Sequence, residues 1–69
     1  MIERSYYAEE IAKIQMGTAG HLNYYKETLY EDEEGFFVIG ERVDERGIFC
    51  FEIDENDVEE LLNYYNEII

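Results

Sequence analysis

The chain has no proline, no tryptophan, one cysteine and one histidine among its 69 residues. With Cys50 alone, no internal disulfide can form, so a stapled secreted mini-protein is excluded. The absence of proline goes with the absence of any linker, repeat or low-complexity tract. Basic residues are scarce, 5 Lys and Arg against 18 Asp and Glu, for a net charge of −13 and a pI near 4.1. Nucleic acid and anionic membrane surfaces repel such a chain, whereas a basic protein surface attracts it. No apolar run is long enough to span a membrane, and the opening MIERSYYAEE lacks the apolar stretch of a secretory leader. A cytoplasmic location is the expectation.

What is present is a core. Hydrophobic residues make up 46% and aromatic residues 16%, too rich for a disordered acidic tail. A chain this short forms one domain, residues 1–69, and buries only about 60–65% of its unfolded surface. The charge is unevenly spread. Residues 27–60 hold 14 acids and 2 bases, near −12, and the remainder holds 4 acids and 3 bases, near −1. One alternative is that this acidity only keeps a small protein in solution; its clustering argues for more.

Along the chain, residues 5–16 (SYYAEEIAKIQM) read as a helix. Ser5 can cap it, and Tyr7, Ile11 and Ile14 recur at helical spacing. Gly17, opening the small-residue segment GTAG, is the expected helix end. Residues 21–31 are open to two readings. Leu22, Tyr25 and Leu29 fit a helix, while Tyr24, Tyr25, Thr28 and Tyr30 favour a strand by type. Strand is expected, because EDEEG followed at once by FFVIG reads as a hairpin. Residues 36–43 form the next strand, with Gly40 marking a bulge or a close approach. DERG at 44–47 reads as a turn, and IFCFEI at 48–53 as the third strand. Asp54 to Asn56 cap a last helix, with Asn56 and Glu59 spaced as a capping box, and with a stripe of Val58, Leu61, Leu62, Tyr65 and Ile69. The expected fold is α+β, in the order α-β-β-β-α: a three-stranded antiparallel meander with two flanking helices.

Alternation puts Phe49, Phe51 and Ile53 on one face of the third strand and Ile48, Cys50 and Glu52 on the other. Phe37 and Ile39 oppose Phe36 and Val38 in the same way. Two helices on one face would leave Phe36, Val38, Ile48 or Cys50 open as a self-association or partner surface. The alternative is that the helices split across both faces, or that the N-terminal helix wraps the edge. In each pair Tyr6–Tyr7, Tyr24–Tyr25 and Tyr64–Tyr65, one ring is expected in the core and the other at its rim, where it can serve an interface.

No enzyme motif emerges. His21 is a lone histidine, and Cys50 sits mid-strand in an apolar run with no His or Lys beside it, as a buried structural thiol would. DEND at 54–57 lacks the sixth-position glycine and twelfth-position glutamate of a calcium loop. GTAG has no lysine after it, so a helix-ending turn fits better than a phosphate loop. No cofactor, metal or catalytic residue is expected.

The carboxylates carry the functional reading. Same-face residues on a strand lie about 6.6–6.8 Å apart, and DNA presents one charge per about 3.4 Å of axis on each strand. A row of carboxylates can thus imitate a phosphate track, whether built on Glu27, residues 31–34, Glu41, Asp44 and Glu45 or on residues 52–60. The expected partner-binding residues are Glu31, Asp32, Glu33 and Glu34 on an exposed turn. Asp44, Glu45, Asp54, Glu55 and Asp57 follow. The expected partner is a basic nucleic-acid-binding protein, a nuclease or other effector, with no direct binding of nucleic acid or membrane. In overall design the chain resembles small acidic phage-encoded inhibitors of nucleases and other DNA-binding defences, anti-CRISPR proteins among them. That resemblance implies an inhibitor and assigns no residues. The alternative is an acidic adaptor or antitoxin-like partner that binds through an apolar sheet face, with a homodimer as a further reading.

Overall fold

A computed structural model describes residues 3–18, 23–42 and 47–68. A 3₁₀ turn, Glu3–Tyr7, leads into four strands, β1 (Glu9–Met16), β2 (Tyr25–Asp32), β3 (Gly35–Arg42) and β4 (Gly47–Ile53). A second 3₁₀ turn, Glu55–Asp57, opens the single α-helix among the described residues, α1 (Val58–Ile68). The strands form one antiparallel sheet in the order β1-β2-β3-β4. Strand β2 resolves the open reading of residues 21–31 for the residues it covers.

The described residues therefore form four strands and one α-helix, where three strands and two helices were expected. The first helix is the error: residues 9–16 are β1. Ala12, Ile14 and Met16 pair with Leu29, Glu27 and Tyr25 of β2, with Lys13 and Gln15 between them. That alternation is strand-like, but a β-bulge between Glu10 and Ala12 inserts Ile11 and breaks the period of two. The broken pattern puts Tyr7, Ile11 and Ile14 at helical spacing. Ile14 alone of these three is buried, at 2% exposure; Tyr7 and Ile11 face solvent. Good helix formers such as Ala12, Lys13 and Gln15 yield here to cross-strand pairing, as propensity does when tertiary contacts compete. Gly17 then ends a strand rather than a helix, turning the chain with φ +75°.

α1 lies across one face of the sheet, on the β1 side. Tyr65 joins Ile14, Leu29 and Val38 as the buried core, with Val58, Leu61, Leu62 and Ile68 packed around it. Ile69, expected in this stripe, lies outside the described residues. The cap is Asp54, whose Oδ1 accepts the Asn56 N–H at 2.8 Å, in place of the expected Asn56–Glu59 box. Gly40 is a close approach and not a bulge: register with β4 is unbroken, and the Phe49 ring lies over its Cα.

Register also regroups the faces. Val38 pairs with Phe51 and Phe36 with Ile53, so all four face the helix side. Ile48 and Cys50 share the opposite face with Phe37 and Ile39. The expected open surface of Phe36, Val38, Ile48 and Cys50 thus does not exist as one patch. Cys50 is exposed, not buried. Among the tyrosine pairs, the one-in, one-out pattern holds for Tyr64 and Tyr65; Tyr6 and Tyr7 are both exposed, and Tyr24 and Tyr25 are both half-buried. Among the described residues no helix is long and apolar enough to cross a membrane.

Candidate functional site

The β2–β3 hairpin and the exit of β4 meet at one end of the sheet. Asp32 pairs with Gly35, leaving Glu33 and Glu34 as the two turn residues. Gly35 takes φ +128°, a conformation that suits glycine. Asp32 Oδ1 accepts the Glu34 N–H at 2.9 Å and closes the turn. Because Phe36 pairs with Ile53, the chain leaving β4 runs beside this turn. Glu31, Asp32, Glu33 and Glu34 thereby converge with Glu52, Asp54 and Glu55 around a groove of about 540 Å³, floored by Gly35, Phe36 and Ile53. Carboxylates at a hairpin turn and after a strand are far apart in sequence, and strand pairing alone brings them together.

One cation sits in this cluster. Arg4 donates to Asp32 through Nε at 2.5 Å and through a terminal nitrogen at 2.9 Å. It also reaches Glu52 at 3.3 Å and Glu34 at 3.7 Å. Its guanidinium carbon stands 4.1 Å from the centre of the Phe37 ring, which stacks in turn on Tyr30. Arg4 thus anchors the N-terminal 3₁₀ turn over the face that α1 leaves bare, and Phe37 is fully buried beneath it. The Arg4 hydrogen bonds, with the Glu34 N–H second, hold the Asp32 carboxyl down to about 2, against an ordinary value of 3.8. Arg4 is raised above its ordinary range by the same contact.

The sign follows from linkage. A carboxyl depressed in the folded state contributes stability above its unfolded value, and that stability is lost as pH falls through the folded value. Arg4→Ala is therefore expected to lower the urea midpoint at pH 7. The gap to the native chain should shrink as pH falls from about 4 to about 2. Circular dichroism across that range reads it, and a gap of the same size at both ends would refute the pairing.

The expected site residues thus separate. Glu33, Glu34, Asp54 and Glu55 are exposed at the acidic end, and Glu31 is half-buried there. Asp32 lies in the same cluster, but its carboxylate is engaged by Arg4 and the turn. Asp57 is exposed to one side, with Glu60, Leu61 and Tyr64 around a second groove. Asp44 and Glu45 lie outside the described residues; Arg42 and Gly47, which flank that segment, pair at the other end of the sheet. Glu52, counted in the second carboxylate row though not among the expected partner-binding residues, lines the same groove, and Arg4 bridges it to Asp32. Arg4 carried no signal, being 28 residues from its main partner.

Glu27, counted in one carboxylate row, does not belong to a surface track. It is 8% exposed on the helix face. Tyr65 donates its hydroxyl to Glu27 Oε1 at 2.6 Å, and Tyr25 donates to Oε2. Burial, then the bond to Glu27, pushes the Tyr25 hydroxyl up to about 12, and Tyr65 is raised by the same causes. Glu41 lies away from the cluster and accepts from the Tyr24 hydroxyl at 3.5 Å. His21 is outside the described residues, and among those described no three His, Cys, Asp or Glu side chains gather as metal ligands.

No protein-family model, no curated protein and no solved structure matches this chain.

Proposed function

We propose that this protein is an inhibitory binding protein that occupies the basic nucleic-acid-binding groove of a nuclease or other defence effector. The observation that supports it most is the convergence of seven carboxylates, Glu31 to Glu34 with Glu52, Asp54 and Glu55, against one cation among the described residues, Arg4. A groove lined with Lys and Arg for phosphates meets there a dense anionic surface on a hydrogen-bonded turn. Charge steers the encounter and sets its specificity, and salt weakens it.

Asp32 and Asp54 hold the backbone, so the informative variant spares both: Glu33→Gln, Glu34→Gln and Glu55→Gln together. Exposed ion pairs contribute about 0.2–1 kcal/mol each, so affinity for the partner should fall about tenfold at low salt. The native and variant affinities should converge at high salt. The partner is obtained by tagged capture from a nuclease-treated bacterial lysate, with elution in rising salt and identification by mass spectrometry. The reading expects a nucleic-acid-binding protein that duplex DNA or RNA displaces. A partner held through high salt and indifferent to competing nucleic acid would overturn it.

A further inference from the structure

The sheet beneath Arg4 is shaped as a guanidinium site, and strand register builds it. Tyr30, Phe37 and Glu52 stand in one row across β2, β3 and β4, and Asp32 is the next residue of β2 on that face. Tyr30 and Phe37 stack with ring centres 5.3 Å apart, so the aromatic floor is held by contacts other than those to Arg4. Arg4 lies on that floor, its guanidinium carbon 4.1 Å from the centre of the Phe37 ring. Two of its nitrogens donate to the two oxygens of Asp32, at 2.5 and 2.9 Å. Glu52 and Glu34 stand at 3.3 and 3.7 Å. A ring under the plane of the cation and a carboxylate at its edge favour arginine over lysine, because only a planar fork uses both.

The turn that carries this occupant buries nothing. No residue of Glu3–Tyr7 is buried, and Tyr6 and Tyr7 are 67% and 82% exposed. Segments with few buried apolar contacts lie at the low end of local stability. The receiving side, by contrast, belongs to the sheet and keeps an excess of charge. Asp32, Glu34 and Glu52 set three negative charges against one guanidinium, and the side chains of Glu34 and Glu52 are 77% and 76% exposed. These three carboxylates also line the acidic groove.

We propose that the Glu3–Tyr7 turn is a strap that fills an arginine subsite of the acidic surface with the protein's own Arg4, and that an arginine of the bound partner takes this place when the strap lifts. The proposal rests on the acidic end being the contact surface, as in the reading above. It adds which cation that surface selects and what holds the subsite closed beforehand. A tethered group competes at an effective concentration of about millimolar. A lone arginine side chain is thus kept out below that concentration, and a partner that brings further contacts is admitted. Apparent affinity falls by the fraction of molecules whose strap is closed.

The test needs no partner. N-ethylguanidinium supplies the atoms that Arg4→Ala removes, and ethylammonium carries the same charge without the fork. Each is titrated as its chloride, at constant ionic strength and neutral pH, into the full native chain and into Arg4→Ala. Circular dichroism checks folding, and NMR follows the Phe37 and Tyr30 rings and the Glu34 amide. In Arg4→Ala, N-ethylguanidinium should shift these signals saturably and bind about tenfold more tightly than ethylammonium. The native chain should need about tenfold more N-ethylguanidinium, and its Tyr6 and Tyr7 amides should move with the ring signals as the strap lifts. Arg4→Lys keeps a tethered charge without the fork. It should fall between the two, and it carries the test if Arg4→Ala does not fold. Three results would overturn the proposal: equal binding of the two cations, no saturable response in the folded variants, or a native chain that binds N-ethylguanidinium as tightly as Arg4→Ala. The outcome is independent of the partner's identity, so a captured partner that does not bind nucleic acid would overturn the mimic reading alone.

Discussion

Replacing Tyr65 by alanine should leave the protein largely unfolded at room temperature. Tyr65 is one of the largest fully enclosed side chains and the centre of the contact between α1 and the sheet. Truncating a buried aromatic ring to alanine costs about 3–5 kcal/mol. The same change removes a hydrogen bond to the enclosed Glu27 carboxylate, and bonds to charged groups contribute about 1.5–3 kcal/mol. A domain of this length has only about 3–10 kcal/mol in total. Tyr65→Phe separates the two effects. It keeps the ring and loses only the donor, so it should fold with Tm lowered by about 10 °C. A Tyr65→Ala protein melting within about 5 °C of the native chain would show that the helix does not depend on this anchor.

The same pair of tyrosines sets an alkaline limit. An ordinary tyrosine titrates near 10, and burial beside Glu27 moves Tyr25 up to about 12 and Tyr65 in the same direction. The folded state therefore retains protons that the unfolded chain has released. The stability they supply is fully present below about pH 10 and declines as pH rises toward 12. In Tyr65→Phe that decline should be shallower, since one of the two hydroxyls is gone.

Gly40→Ala should be the most damaging small substitution in the sheet. A Cβ at Gly40 would lie 2.1 Å from Phe49 Cζ, inside any possible contact distance. The backbone at Gly40 has no left-handed φ, so the cost is steric. The Phe49 ring must leave its place between Arg42 and Phe51. Overpacking of this kind costs about 1–3 kcal/mol, a Tm drop of roughly 4–20 °C in a domain this size. The cause is tested by a double-mutant cycle. In a Phe49→Ala background the ring is absent, and Gly40→Ala should then be close to neutral. An equal loss in both backgrounds would mean that Gly40 matters for some reason other than this ring.

Several features were legible without the structure because their signals are local. Strands β3 and β4 follow from short apolar runs rich in Phe, Val and Ile between turn residues. The hairpin turn follows from EDEEG, and the last helix from Asp54 and the Val58, Leu61, Leu62, Tyr65 stripe. Strand alternation correctly separated Phe49, Phe51 and Ile53 from Ile48, Cys50 and Glu52. The first strand was not legible. Its composition favours helix, and the bulge at Ile11 replaced its period of two with spacings of three and four.

The sequence by itself determined that the molecule is strongly acidic, that its acids crowd residues 27–60, and that it contains a core, a hairpin and a C-terminal helix. Composition and short-range periodicity decide these. Tertiary structure alone decided which carboxylates stand together and which are withdrawn. Pairing of Phe36 with Ile53 joins the 31–34 turn to Glu52, Asp54 and Glu55. Arg4 crosses 28 residues to hold Asp32, and Tyr65 crosses 38 to hold Glu27. It also placed β4 at one edge of the sheet among the described residues. Contacts of that span depend on strand register and order, which fix neighbours by geometry and leave no trace in the spacing of residues along the chain.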